Sequence, residues 1–168
     1  MIFLANRANL DKRTLLTRIH NHLQTRVDKE HSPVVQVWYH PSNANKVGVR
    51  ATINAPSFLR SAYPVEEAEL HVVFAFPPNH PYDFYSIQWV EPERDLMIGW
   101  HQDETHMDHG ECHLQLDFRG ETVQREPAAY RDSHPLNVFE TRIDQLVDIL
   151  KSLTWDHDVP TVPAQAVR

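Results

Sequence analysis

From Val34 to Glu126 the apolar residues recur at every second position, segment after segment. A chain patterned this way buries them as pleated strands with one face turned to a core. Val47, Val49, Ala51 and Ile53 alternate with Gly48, Arg50, Thr52 and Asn54. Ala68, Leu70, Val72, Phe74 and Phe76 alternate with Glu67, Glu69 and His71. The pattern predicts seven strands: 34–40, 46–55, 67–76, 83–91, 96–101, 111–118 and 121–126. The breaks between them carry turn chemistry, as in Pro41-Ser42-Asn43-Ala44-Asn45, Glu91-Pro92-Glu93-Arg94-Asp95 and Arg119-Gly120. Phe76-Pro77-Pro78-Asn79-His80-Pro81-Tyr82 cannot pair through its prolines and is expected as a loop.

Two helical patterns flank this middle. Leu16, Ile19, Leu23 and Val27 recur at spacings of three and four, with Asn9 or Asp11 as the cap and Pro33 as the stop. Leu136, Phe139, Ile143, Leu146, Val147 and Leu150 form the stripe of a second helix, about Pro135 to Leu153. Asp132 and Ser133 offer its capping oxygens. The expected fold is α+β: an N-terminal helix, an antiparallel meander of six or seven strands, and a C-terminal amphipathic helix packed on the sheet. Residues 1–155 read as one domain, and 156–168, with Pro160 and Pro163, as a flexible tail.

The chain has 168 residues and a formal charge of −7, which argues against a broad basic surface for nucleic acid. Only 4 residues are Lys against 12 Arg, a balance that suits either a high-salt cytosol or a GC-rich genome. A single cysteine, Cys112, excludes an internal disulfide and a Cys-rich zinc site. Met1–Arg7 is too short an apolar run for a signal peptide, and no run approaches the ~20 residues of a membrane span, so a cytoplasmic location with no membrane partner is expected.

The stretch from Trp100 to Gln115 is where chemistry concentrates. His101, His106, His109 and His113 fall within 13 residues, interleaved with Asp103, Glu104, Asp108 and Glu111. Alternation turns Cys112, Leu114, Leu116 and Phe118 to the core, and His113, Gln115 and Asp117 to the other face. By the same rule Trp100 points inward and His101 outward, so a hairpin places His101 and His113 together on the solvent face. Gly99 leaves open space beside His101, and the loop holds His106 and His109 above the pair.

Two chemistries fit. His101 and His113 can serve as general base and acid, with His106 assisting and Asp103 orienting an imidazole. Alternatively His101, His106, His109 and His113 hold a divalent metal such as zinc, although H-x4-H-x2-H-x3-H matches no specific zinc signature. The bland account is a polar loop that collects soluble residues. Other candidates read as structural. Cys112 is an inert core residue, Trp38, Trp89 and Trp100 are core aromatics, and Glu66, Glu67 and Glu69 are a solvated edge. Arg119, Arg125, Arg131 and Arg142 are scattered surface cations.

His80-Pro81-Tyr82, Tyr85 to Trp89, Ile98-Gly99-Trp100-His101-Gln102-Asp103, His109, His113 and Pro135 to Leu150 together resemble the TumE family, toxin-like partners in toxin–antitoxin pairs. The likeness covers under half of the chain and departs at Gly99–Asp103, where the family carries an Arg-Tyr-Asp-Asn-like run. It implies an RNA substrate, RNA cleavage and a helix-turn-helix antitoxin partner. The Gly-Trp-His-Gln-Asp form, with scarce lysine, is similar to haloarchaeal proteins. A weaker likeness, carried by helix, meander, proline-rich loop and helix, is to ubiquitin-conjugating-like and RWD-like domains. With no Cys in the place of a thioester loop, it implies a non-catalytic protein-binding module.

Overall fold

The computed structural model describes residues 10–27, 32–80, 82–129, 132 and 134–167. Asn9, Pro81, Arg131 and Ser133, singled out above, lie outside them.

The first helix, α1 (Lys12–Val27), starts where Asp11 accepts from the Thr14 amide at 2.9 Å and from its hydroxyl at 2.6 Å. Seven strands follow: β1 (Val34–Pro41), β2 (Lys46–Asn54), β3 (Glu67–Ala75), β4 (Phe84–Glu91), β5 (Leu96–Gln102), β6 (Cys112–Phe118) and β7 (Glu121–Pro127). They form one antiparallel sheet in strict sequence order. Arg119 and Gly120 both hold positive φ, as a two-residue loop of primed type requires between β6 and β7. A short helix, α2 (Ala55–Leu59), is not apparent in the sequence because it is only five residues long; Asn54 caps it through the Ser57 amide. The long helix α3 (Pro135–Ser152) has His134 as its cap, accepting from the Leu136 amide at 3.3 Å, while Asp132 braces the turn before it.

The helices cover one face of the sheet. Leu15, Leu16, Ile19 and Leu23 of α1 and Val138, Phe139, Leu146 and Ile149 of α3 bury against Val49, Leu70, Ile87, Trp89, Ile98, Trp100 and Leu114. Trp89 and Trp100 are core, as their alternation implied. Trp38 is not. An irregularity between Val34 and Gln36 slips the alternation by one residue, so Val37 faces the core and Trp38 pairs with Arg50 on the opposite face.

Residues 154–167, expected as a tail from 156 on, form secondary structure that packs against the rest of the fold. Strands β8 (Thr154–Asp156) and β9 (Val159–Thr161) form a hairpin across His157 and Asp158, both at positive φ, and α4 (Ala164–Val167) follows. Gln124 clamps Val162 through two bonds of 2.9 Å, and Val162 and Val167 are buried. Prolines at 160 and 163 concealed this, because such short strands carry no alternation of their own. Among the described residues no helix is long and apolar enough to cross a membrane.

Candidate functional site

The face away from the helices is crossed by rows of register-paired side chains. One row runs Trp38, Arg50, His71, Gln88, Gly99, Gln115, Arg125, with one residue from each of the seven strands. The next row runs His40, Gly48, Val73, Ser86, His101, His113, Pro127. Few of these are apolar, and most are half-buried by their neighbours alone. Apart from the glycines at 48 and 99, the buried member of these rows is His113, whose polar ring is fully covered. The loop between β5 and β6 folds back over it.

His101 and His113 are direct partners in the β5–β6 ladder. Their rings lie 5.5 Å apart and 6° from parallel. His106 comes down from the loop and meets the His113 ring edge-on, at 5.5 Å and 82°. Three of the four clustered histidines are therefore brought together. His109 is not, and pairs with Asp108 at 3.2 Å. Asp103 continues the hairpin through its amide to the Glu111 carbonyl at 3.0 Å and accepts from the Thr105 amide at 2.8 Å. Its role is to shape the loop, and its charge also acts on both imidazoles.

Gly99 does not leave an empty space beside His101. Gln88 leans into it: a Cβ on Gly99 would stand 2.3 Å from the Ile87 carbonyl oxygen and 3.0 Å from Gln88 Cγ. The absent side chain lets Gln88 Nε2 reach His101 Nε2 at 3.1 Å. With the amide nitrogen donating, this nitrogen of His101 is the acceptor and the ring proton sits on Nδ1.

Both stacked imidazoles are held neutral. Burial pushes His113 down to about 4, helped by the nearby His101, His106 and Arg125 and opposed by Asp103. His101 is lowered chiefly by burial as well, with Asp103 and Asp117 pulling the other way. Neither ring nitrogen of His113 has a hydrogen-bond partner. A buried donor without an acceptor costs about 1–3 kcal/mol.

The metal expectation does not assemble. Among the described residues no group of three His, Cys, Asp or Glu side chains is arranged to hold an ion. His109 stands apart from the other three, paired with Asp108.

A cavity of about 520 Å³ opens beside His101. Its walls are Val73, Ala75, Phe84 and Ser86 from the sheet, and Asp103, Glu104 and Thr105 from the loop. His80, at the end of the proline-rich segment, pairs with Glu104 at 2.9 Å and packs on Phe84, so two loops meet at the rim.

Comparison of the chain with family models, curated proteins and solved structures found no match. The site therefore rests on its own geometry.

On the helix-covered side of the sheet Cys112 and Arg142 are structural. Cys112 is buried, as expected, but it is not among apolar neighbours only. Arg142 of α3, expected at the surface, is fully buried and donates to Cys112 Sγ at 3.2 Å, to the Tyr85 hydroxyl at 3.3 Å and to the Ala129 carbonyl at 2.8 Å. Its guanidinium also lies over the Trp100 ring, 4.9 Å from the centroid. The signal was present in the sequence: Arg142 falls three residues after Phe139 and four before Leu146, inside the apolar stripe.

Proposed function

We propose that this protein is a non-catalytic binding module whose ligand site is the cavity beside His101 on the uncovered face of the sheet. The observation that supports it is a division of labour within the histidine pair. His101 lines the cavity, whereas His113, which an acid–base pair would need at the substrate, is sealed under the loop. The walls describe the ligand class. Val73, Ala75 and Phe84 favour apolar surface; Asp103, Glu104 and the neutral His101 favour hydrogen-bond donors or positive charge, and among the described residues no Lys or Arg lines the cavity. A segment of a partner protein that presents a basic side chain on an apolar stem fits these walls. In an amide-shift titration of the full chain, short peptides carrying Lys or Arg next to an apolar residue should perturb Val73, Ser86, His101 and Thr105. Asp103→Asn should weaken that binding several-fold. Shifts absent from these residues, or unchanged by Asp103→Asn, would reject the reading.

A second reading keeps His101 and His113 as the acid–base pair of a toxin-like, RNA-cleaving protein with a helix-turn-helix partner. It is favoured by their direct register pairing and 5.5 Å ring separation. Induced expression of the wild type and of a His101→Ala/His113→Ala double variant separates the two readings. Growth arrest and RNA loss confined to the wild type support cleavage; equal growth and intact RNA in both remove it.

A further inference from the structure

We propose that the loop from Asp103 to Glu111 is an acid-released cover: gain of a proton by the buried His113 ring drives its distal part off the sheet and exposes His113 to the neighbouring cavity. Its consequence for ligands rests on reading that cavity as the binding site; the release itself does not.

The argument begins with what His113 faces. His101 of β5 stacks on it, His106 of the loop caps it, and Arg125 of β7 adds a positive charge nearby. Its ladder partner on β7 is Pro127, which has no amide hydrogen and no side-chain polar atom to offer. Asp103 is the carboxylate that acts on it in the opposite sense. The charge of Arg125 offsets that of Asp103, and among the described residues both His113 nitrogens lack hydrogen-bond partners to share a proton, so a buried imidazolium is poorly hosted there. A protonated His113 needs water, and the loop is what keeps water out.

The cover is lightly fastened. Met107, its one large apolar side chain, is 53% exposed. The short turn Met107–His109 is closed by its own bonds, His109 to the His106 carbonyl and Gly110 to the Met107 carbonyl. Gly110 sits at φ 84, and a Cβ there would meet nothing nearer than the Cys112 carbonyl oxygen at 4.0 Å, so the chain can swing at this point. The other end is anchored. His80 holds Glu104, and Asp108 holds His109 inside the turn. Acid therefore lifts residues 105–110 as a unit and leaves Asp103 and Glu104 in place.

The direction with pH is fixed by the imidazole. The folded value of His113, about 4, lies below the ordinary 6.5, so the closed form binds fewer protons than the open form. Closure is complete above pH 6.5 and is lost progressively as pH falls toward 4.

Hydrogen exchange of the full chain at about pH 7.5 and about pH 5, corrected for intrinsic rates, tests this. Exchange at residues 105–110 should rise at least about tenfold at the lower pH, while the amides of β4 and β6 around Trp89 and Leu116 stay protected. In His113→Leu the rise should fall below about twofold. Asp103→Asn should shift the opening to higher pH. Equal protection of the loop at both pH values in the wild type would overturn the proposal, as would full opening in His113→Leu. If that variant does not fold, imidazole titration of the wild type decides instead: the His113 ring and the 105–110 amides must share one midpoint, and separate midpoints overturn it. Peptide binding at neutral pH is a separate readout, so loss of that binding with intact loop release would fault the ligand site alone.

Discussion

Arg142→Ala should lower the unfolding free energy by about 3–5 kcal/mol, read from the urea midpoint at constant slope. The residue is fully buried, and its guanidinium joins three parts of the fold. It reaches β4 through the Tyr85 hydroxyl, the start of β6 through Cys112 Sγ, and the chain after β7 through the Ala129 carbonyl. Gln145 holds its remaining arm at 2.9 Å. Truncation leaves those acceptors facing a void beneath the Trp100 ring. Among the described residues no carboxylate stands at ion-pair distance from the guanidinium. The cation is instead solvated by neutral groups and an aromatic face, an arrangement that a buried charge tolerates poorly. Arg142→Met, which keeps the stem and removes the charge, should therefore stay within about 1–2 kcal/mol of the wild type. A Met variant as weak as the Ala variant would show that the hydrogen bonds, not the packed stem, carry the contribution. Tyr85 ties into the same group: burial, with Cys112 beside it, holds its phenol well above the ordinary range, so the hydroxyl remains protonated and can donate to Cys112 Sγ.

How much of this was visible in the residues follows from the range over which each effect acts. Alternation is local, so all seven strands were readable, with ends within about a residue or two of those observed. The placement of Cys112, Trp89 and Trp100 came from the same rule and holds. Trp38 failed because the slip near Val35 is a pairing event between β1 and β2, invisible in either strand alone. His113 failed in a different way. Its face was read correctly, but its burial is imposed by a loop whose path depends on His106 finding the ring. Alternation assigns a side chain to a face and says nothing about what later covers that face. The tail is a third case. Val162 is buried because Gln124, 38 residues earlier, supplies both a donor and an acceptor to it. No window on the sequence holds both residues.

Glu91 carries the other large expected effect. It ends β4, is fully buried, and accepts from the Tyr63 hydroxyl at 2.6 Å and from Trp89 Nε1 at 2.8 Å. Its second oxygen stands 3.3 Å from Arg94 Nε. Arg94 in turn lies under the Trp155 ring, 4.5 Å from its centroid, and Trp155 meets Phe118 edge-on. One carboxylate thus joins the segment before β3, the core tryptophan and the C-terminal hairpin. Glu91→Ala leaves the indole N–H, the phenol and a partly buried guanidinium without their acceptor, and should cost about 3–5 kcal/mol. Glu91→Gln keeps an oxygen for the two neutral donors and loses the charge opposite Arg94, so about 1–2 kcal/mol is expected. Tyr63→Phe should cost about 1 kcal/mol, since it deletes one hydrogen bond and leaves the carboxylate its other partners. Thermal unfolding of the three variants checks the order Ala, then Gln, then Phe. The hairpin gives a second readout: with Arg94 released, Trp155 loses its cation partner, and the Trp155 indole N–H resonance should move in Glu91→Ala but not in Tyr63→Phe. If Glu91→Gln were as damaging as Glu91→Ala, the charge on Arg94, rather than the two neutral donors, would be what this carboxylate is buried to meet.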